Sequence, residues 1–271
     1  MGPPHTAESV TERAERAASA PRHQLSQYFT ERAKEVLVAF AQNPNLQEPD
    51  LLRLLERKDL PPEVVREIAA HKEALRSYAV KLALARHPRT PRLISLPLFK
   101  FLHLFDLVRV AQTPAVPADV KLAVEEAILK KAERIPRGEK ISLARRGSGH
   151  VAAGLLLTED EELIQAVLDN PFLTEAHVSR VLSLEKLSPR VVGIISRHDR
   201  WSRRYHLRLA LVRNPHTPLH RVLRFLPDLA VNDLREACLD RRMPEEVRNY
   251  VQAYCVRRLD ARRSRPEGTG Q

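Results

Sequence analysis

The sequence is poor in cysteine, glycine and aromatic residues. The scarcity of cysteine excludes two classes of site. The two cysteines, Cys238 and Cys255, are too few for a disulfide framework or a cysteine-rich metal site, so we expect a reducing, cytoplasmic location. No uncharged apolar run reaches the roughly 18 residues that a membrane-spanning helix needs. The N-terminal stretch is polar and lacks the apolar segment of a signal peptide.

Helix-forming residues and proline are abundant. The hydrophobic content is 43%, and the chain contains 20 prolines against 8 glycines. Leu, Ala, Arg, Val and Glu dominate, and most of these favour helices, whereas proline ends helices or occupies their first turn. The composition therefore predicts an all-α protein whose helices are short and punctuated by prolines.

One long stretch of the sequence occurs twice. Residues 43–91 align without a gap with residues 170–218, and 21 of the 49 aligned pairs are identical. The offset is 127 positions, which we call the repeat offset, and weaker similarity continues to Val124 and Val251. A self-match at a fixed offset is typical of repeat proteins, in which neighbouring helix pairs stack to bury a shared core. We therefore predict a superhelical stack of short helices, formed by an internal duplication.

The motif that recurs at the helix ends resembles a known family. Residues 207–218 read LRLALVRNPHTP, and residues 82–91 read LALARHPRTP. This pattern resembles the leucine-rich repeat variant proteins, a family related to the HEAT and armadillo α-solenoids. The resemblance implies a solenoid fold and a scaffold role. The cysteine cluster that holds an iron–sulfur cluster in some members has no counterpart here.

The alignment also predicts the domain organisation. We expect a first solenoid copy at residues 29–131 and a second at 160–259. Residues 132–159 have no visible copy, and we expect them to form connecting helices that continue the stack. Residues 1–28 and 260–271 have the polar composition of disordered ends, with a short helix around residues 12–18 as the alternative.

Helix boundaries follow from the prolines and caps. We expect the fourth helix to run from Leu75 to Arg86 without interruption, and Asp106 and Asp233 to be N-caps. The apolar stretch 93–110 favours a buried helix pair over a membrane-surface element, because its counterpart at 220–237 is an ordinary amphipathic sequence.

Arginine distinguishes the second copy from the first. Residues 190–271 contain 18 Lys and Arg against nine Asp and Glu, whereas residues 1–189 contain 27 against 25. Spacing of four residues would place Arg200, Arg204 and Arg208 on one side of a helix. Such a face would bind phosphate or carboxylate groups, although a merely solvated arginine surface is the simpler interpretation. The candidate binding residues are Arg190, Arg197, Arg200, Trp201, Arg203, Arg204 and Arg208.

Several other residues carry a functional and a structural interpretation. Trp201 could stack on a base, but core packing is at least as plausible for it and more so for Tyr205. The loop 145–150 could bind phosphate, but a helix stop followed by a serine cap explains it better. His71 and His198 are expected to stabilise helix C-termini.

No catalytic or metal-binding constellation can be assigned, so we expect neither an enzyme nor a cofactor. The leading hypothesis is a non-enzymatic scaffold that binds a protein partner on one solenoid face. The alternative is binding of nucleic acid or another polyanion by the second-copy arginines. A DNA glycosylase of the HEAT-like class is a remote third hypothesis. The sequence leaves the oligomeric state open.

Overall fold

The structure, a computed structural model, describes residues 9–263 and omits the side chains of Leu75 and residues 261–263. Every regular element in these residues is a helix, so the prediction of an all-α protein made of many short helices is confirmed. The chain divides into two compact units, residues 1–131 and residues 132–271.

The described part of the first unit contains nine α-helices and one 3₁₀ helix. In chain order they are α1 (Val10–Ser19), the 3₁₀ helix Arg22–Tyr28, α2 (Lys34–Ala41), α3 (Glu48–Glu56), α4 (Pro62–Ala70), α5 (Lys72–Arg76), α6 (Tyr78–Arg86), α7 (Arg92–Leu98), α8 (Leu104–Gln112) and α9 (Ala118–Ala132).

The described part of the second unit contains ten α-helices and one 3₁₀ helix. They are α10 (Arg137–Arg146), α11 (Gly149–Gly154), α12 (Glu161–Leu168), α13 (Glu175–Leu182), α14 (Pro189–Arg197), α15 (Asp199–Ser202), α16 (Tyr205–Arg213), α17 (Leu219–Phe225), the 3₁₀ helix Leu226–Asp228, α18 (Val231–Ala237) and α19 (Glu245–Arg263).

Every described helix of the first unit has a counterpart in the second unit, and the first residues of the two helices are separated by the repeat offset. This holds for α10 and α11, which correspond in this way to α1 and the 3₁₀ helix 22–28. The two helices expected between residues 132 and 159 are therefore present. The sequence interpretation that this segment has no counterpart is incomplete, because only the helix positions reveal the match.

The N-terminal segment also differs from expectation. Disorder was expected for residues 1–28, yet residues 10–28 are helical apart from the short link between the two helices. Ser9 and Glu12 form a capping box, in which each side chain accepts a hydrogen bond from the backbone N–H of the other residue. Ala17 and Leu25 are buried, so this segment packs on the core as well as being capped. Residues 1–8 and 264–271 lie outside the described range.

Helices pair and stack in a regular order within each unit. In the first unit α1 packs on α2, α2 on α4, α4 on α6 and α6 on α8. In the second unit α10 packs on α12, α12 on α14, α14 on α16 and α16 on α18. Among the helices that alternate with these, α3 packs on α6, and its counterpart α13 packs on α16. Packing of apolar faces along the row gives each unit a core that no single pair could build.

Buried asparagines connect neighbouring helix pairs. Asn170 Oδ1 accepts a hydrogen bond from the Phe172 N–H, while its Nδ2 donates to the carbonyl oxygens of Ala144 and Gly147, at 2.6 and 3.0 Å. Asn43, its counterpart at the repeat offset, makes the same three kinds of bond. A buried amide therefore satisfies helix-end carbonyls that would otherwise lack a partner.

His87 likewise bonds to a backbone carbonyl oxygen at a helix end, through its imidazole ring. It is 1% exposed, its Nδ1 accepts from the Arg89 N–H, and its Nε2 donates to the Arg57 carbonyl oxygen at 2.8 Å. Asn214, its counterpart in the second unit, bonds the Leu182 carbonyl and the His216 N–H instead. Burial is the main reason that the pKa of His87 is lowered; Lys58 and Arg89 lower it further, and the Arg57 carbonyl opposes this.

Replacing His87 by asparagine should make stability less sensitive to acid. A histidine whose pKa is lower in the folded than in the unfolded state contributes stability that is complete above about pH 6.5 and is lost as the pH falls toward the folded-state value. His87→Asn keeps both kinds of hydrogen bond and removes this titration. Between pH 7 and pH 5, the free energy of unfolding measured with urea should fall less for the variant than for the wild type. Equal losses in the two proteins would contradict the neutral, buried imidazole.

Two local predictions are wrong. The helix expected over 75–86 is broken, because Ser77 ends α5 and caps α6 by accepting from the Val80 N–H. Asp106 and Asp233 are not N-caps; they lie in the first turns of α8 and α18, where Tyr78 and Tyr205 donate hydrogen bonds to their carboxylates.

Tyr78 and Tyr205 also cap the starts of α8 and α18. Each hydroxyl oxygen also accepts the N–H of the residue that precedes the helix, His103 for Tyr78 and Ala230 for Tyr205, at 3.1 Å in both cases. Tyr205 thus fixes the start of α18 through its hydroxyl group, in addition to any packing of its ring.

Other local predictions are confirmed. Gly147 ends α10, and the Ser148 hydroxyl caps α11 by accepting the Val151 N–H. Asp160 caps α12 by accepting the N–H groups of Glu162 and Leu163. His71 and His198 are C-caps of α4 and α14. The stretch 93–110 forms α7 and most of α8, with Leu107 and Val110 fully buried.

Candidate interaction surface

Arg200 and Trp201 belong to the packing of the second unit. Trp201 is 1% exposed, and its Nε1 donates to the Leu168 carbonyl oxygen at 2.9 Å. The Arg200 guanidinium lies 4.2 Å from the Trp201 ring centroid and donates to the carbonyl oxygens of Asn170 and Leu173. The hypothesis that Trp201 stacks on a base is therefore wrong for this structure, because its ring faces the protein interior.

Arg208 has a similar internal role. Its Nε donates to the Ser202 carbonyl oxygen at 2.7 Å, and its guanidinium forms an ion pair with Asp228 at 2.6 Å. These bonds hold the start of α16 against the 3₁₀ helix that follows α17. Its charge is thus largely compensated within the unit.

The expected arginine face on one helix does not exist. Arg200 lies in α15, Arg204 is the N-cap of α16, and Arg208 lies inside α16. The backbone leaves the helical conformation at Arg204, so residues spaced four apart on either side of it do not share one helix face. The sequence hypothesis assumed an unbroken helix, and the break between α15 and α16 invalidates it.

The remaining candidates are exposed, but two of them are paired. Arg190 forms an ion pair with Glu161 at 3.2 Å, and Arg203 contacts Asp199 at 3.7 Å. Arg197 and Arg204 have no ion-pair partner among the described residues. Exposed ion pairs contribute little energy, so Arg190 and Arg203 remain accessible to another ligand.

A different group of arginines lies around Arg221. Arg221, on α17, donates to the Ser196 carbonyl oxygen at the end of α14, and its Nε is buried without a hydrogen-bond partner. Desolvation lowers the pKa of Arg221, and the like charges of Arg224 and Arg197 lower it further. No carboxylate of the described chain opposes this effect. We call Arg197, Arg221 and Arg224 the arginine cluster.

The second unit also contains an apolar groove. It runs between α17 and α19, encloses about 360 Å³, and is open to solvent. Leu223 and Tyr250 are 42% and 49% exposed on its walls, an unusual position for large apolar side chains. The lining residues are Leu223, Leu226, Asn249, Tyr250, Ala253, Tyr254 and Arg257. We call this the α17–α19 groove.

Sequence reasoning missed the groove, although a signal was present. The residues that precede Tyr250 and Tyr254 by the repeat offset are Ala123 and Ala127. The second copy thus gains two tyrosines as well as arginines. The same comparison that drew attention to the arginines would have found the tyrosines, had it been extended into α19.

Two further grooves occupy equivalent places in the two units. One is lined by Glu67, His71 and Glu73, and the other by Ile194, His198 and Arg200, in each case with neighbouring residues. Glu67 and Glu73 of the first groove correspond to Ile194 and Arg200 of the second. The second groove is also lined by Arg197 and by three acidic residues, Glu161, Asp169 and Asp199. Both grooves are open to solvent, and His71 and His198 serve as helix caps within them.

The structure offers little for metal or thiol chemistry. Residues 9–263 contain no group of three or more His, Cys, Asp or Glu side chains placed to hold a metal ion. Cys238 and Cys255 are buried free thiols, and burial raises the pKa of each. A raised pKa keeps a thiol protonated and unreactive at neutral pH.

None of the helices in the described range combines the length and the apolar character needed to span a bilayer. Comparisons with models of known protein families, with curated proteins and with solved structures find no match to this chain.

Proposed function

We propose that this protein is an interaction scaffold, built as an α-solenoid by internal duplication, which binds a protein partner in the α17–α19 groove. The resemblance of its helix-end motif to the leucine-rich repeat variant proteins agrees with such a scaffold. Each unit would be a stack of five helix pairs, and the second unit would carry the binding surface.

Equivalent hydrogen bonds support the duplication. Thr90 and Thr217 donate to the carbonyl oxygens of Leu84 and Leu211, at 2.7 and 2.6 Å. The asparagine and tyrosine bonds described above also recur at the repeat offset. Independent origin of so many matched side-chain bonds is much less economical than the copying of one ancestral segment.

The observation that carries the binding proposal is the exposure of large apolar side chains around one concave surface. Aromatic residues in a groove are typical of binding hot spots, because they bury a large area at a small cost in side-chain entropy. Leu223, Tyr250 and Tyr254 supply this surface, and Arg257 adds a charged group at its edge. The groove would therefore accept a segment of a partner that presents an apolar side chain.

Affinity purification from the source cells, with nuclease treatment, would test this proposal. Tyr250→Glu should reduce recovery of a partner by at least about tenfold, because a hot-spot residue is worth about 1.4 kcal/mol or more. Leu239→Glu is the matched control, since Leu239 is 81% exposed and lies outside the groove lining. Equal recovery with both variants, at unchanged melting temperature, would count against the groove.

Binding of nucleic acid or another polyanion is the second candidate function. The arginine cluster favours it, because its three guanidinium groups would attract phosphates. Trp201, the aromatic residue first considered for base stacking, is buried. The exposed apolar side chains of the α17–α19 groove therefore give the protein partner precedence.

A further inference from the structure

We infer that the outer face of α7, in the first unit, docks on the surface of a lipid membrane that contains anionic lipids. The docking surface consists of Leu93, Phe101 and Leu122 together with the basic residues around them, and we call it the α7 surface. It is separate from the α17–α19 groove, which belongs to the second unit.

Helix α7 buries only one of its sides. Ser95 and Phe99 are buried, whereas Leu93 is 85% exposed and Phe101, just beyond the end of the helix, is more than half exposed. The helix has seven residues. Its rise places the two exposed side chains within about 12 Å of each other along the axis. The apolar stretch 93–110 is thus buried through α8 and on one side of α7.

Helix α9 extends the apolar area. The Arg92 guanidinium at the start of α7 forms an ion pair with Asp119, in the first turn of α9, at 3.6 Å. Leu122 lies one turn after Asp119 and is more than half exposed. The start of α9 therefore lies beside α7 and brings a third large apolar side chain to the same area.

The three apolar side chains of the α7 surface are specific to the first unit. At the equivalent positions, one repeat offset later, the second unit has three polar residues, His220, Asp228 and Asn249. The fold therefore does not require apolar residues at these places. Hydration of large apolar side chains is unfavourable, so three of them on one exposed area indicate a surface that meets an apolar environment.

Basic residues surround the α7 surface. Residues 74–105 contain six Lys and Arg and no Asp or Glu. The ammonium groups of Lys81 and Lys100 each lie 5.0 Å from the centroid of the Phe101 ring. Neither lysine forms an ion pair within the described residues, and Arg89 is exposed at the other end of α7. Cations therefore lie at both ends of the apolar area.

The carboxylates nearest in sequence to the α7 surface are on α8 and α9. Asp106 and Asp119 are each paired with an arginine. Glu125 and Glu126 follow Leu122 by about one turn of α9. The basic residues around the surface still outnumber these two glutamates, so its net charge is positive.

The shape of the α7 surface favours a membrane over a protein partner. Leu93 projects from its helix, and none of the three grooves described above is lined by Leu93, Phe101 or Leu122. A projecting apolar side chain can enter the boundary between headgroups and acyl chains without a matching pocket, while a lysine beside it reaches the phosphates. Attraction of the basic residues to anionic lipids adds to the binding.

Sedimentation of the full-length protein with lipid vesicles tests the inference. Vesicles of phosphatidylcholine mixed with phosphatidylserine should bind the protein at least about tenfold more tightly than vesicles of phosphatidylcholine alone. An increase in salt should weaken this binding, because it screens the basic residues.

A triple variant, Leu93→His with Phe101→Asn and Leu122→Asn, should bind the mixed vesicles about tenfold or more weakly, because it removes the apolar contacts. The first and third changes install residues that the second unit has at the equivalent positions, so the fold should tolerate them. Measurement at about pH 8 keeps the introduced histidine neutral. Leu239→Gln, at an exposed position of the second unit, is the control and should stay within about twofold at unchanged melting temperature.

A second pair of variants tests the charges. Lys81→Gln with Lys100→Gln should weaken binding to the mixed vesicles by about tenfold or more, since each basic residue close to an anionic surface contributes to the attraction. Lys140→Gln with Lys186→Gln removes two lysines from the second unit and should stay within about twofold.

The other outcomes overturn the inference. Absence of binding to the mixed vesicles would do so directly. Binding that the triple variant retains would assign the attraction to basic residues outside the α7 surface. Self-association of the full-length protein in sedimentation velocity, lost in the triple variant and without vesicle binding, would assign the surface to a second copy of the chain. None of these results affects the proposed function, whose test uses Tyr250→Glu in the second unit.

Discussion

Replacing Trp201 by alanine should destabilise the second unit by about 3–5 kcal/mol, as expected when a fully buried tryptophan is removed from a core. The change leaves a cavity beside α12 and removes the partner of the Leu168 carbonyl oxygen. It also removes the ring on which the Arg200 guanidinium packs. Urea unfolding followed by far-UV circular dichroism would measure the loss.

Tyr250→Ala is the matched control for Trp201→Ala. Tyr250 is half exposed and lies in the same unit, so its removal should cost about 1 kcal/mol or less. Trp201→Phe should give an intermediate loss, because it keeps most of the packing and removes the N–H. A Trp201→Ala variant with nearly native stability and impaired binding would contradict the internal role of this residue.

Asn170→Asp should destabilise the second unit by about 3–5 kcal/mol near neutral pH, because a carboxylate of the same shape cannot donate a hydrogen bond. It would face the Ala144 and Gly147 carbonyl oxygens at about the distances of the lost bonds. Fluorescence of Trp201, the only tryptophan in the chain, reports urea unfolding of this unit directly.

The pH dependence of Asn170→Asp provides a second test. The carbonyl oxygens should raise the folded-state pKa of the introduced carboxyl group, so the folded state binds the proton more readily than the unfolded state does. The loss of stability caused by Asn170→Asp should therefore shrink as the pH falls through that folded-state pKa. Asn232→Asp, at an exposed position of α18, is the control and should change stability by less than about 0.5 kcal/mol. Similar stability of the two variants would contradict a bridging role for Asn170.

The sequence predicts the helices well because local signals define them. Pro62 and Pro189 open α4 and α14, and Pro44 and Pro171 follow the ends of α2 and α12. These residues restrict the backbone of their own neighbours, so their effect does not depend on distant contacts.

The first helix pair of each unit could not be matched from sequence. When residues 10–28 are aligned with 137–155, only three pairs are identical, among them Ala17 with Ala144. The equivalence lies instead in backbone carbonyls, such as those of Ala17 and Ala144, which accept from the buried asparagines. Every residue has a backbone carbonyl group, so this equivalence cannot be recognised from the residue types.

The candidate site could be predicted only in part. Arginine content drew attention to the second unit, but residue type does not show whether a guanidinium group faces solvent or a helix end. Arg200 and Arg208 bond to backbone carbonyls, whereas no such bond is made by Arg197 or Arg224 within the described chain. That difference depends on the break between α15 and α16, where Arg204 replaces the capping Ser77 of the first unit.

The central claim is that each unit consists of five equivalent helix pairs, including the pair at the start of the chain. Amide hydrogen exchange measured by mass spectrometry tests it most directly, because protection requires hydrogen-bonded, packed helices. The account predicts that residues 10–28 exchange as slowly as residues 137–155, apart from the frayed first turn. Exchange of residues 10–28 at the rate of an unstructured chain, with 137–155 protected, would contradict it.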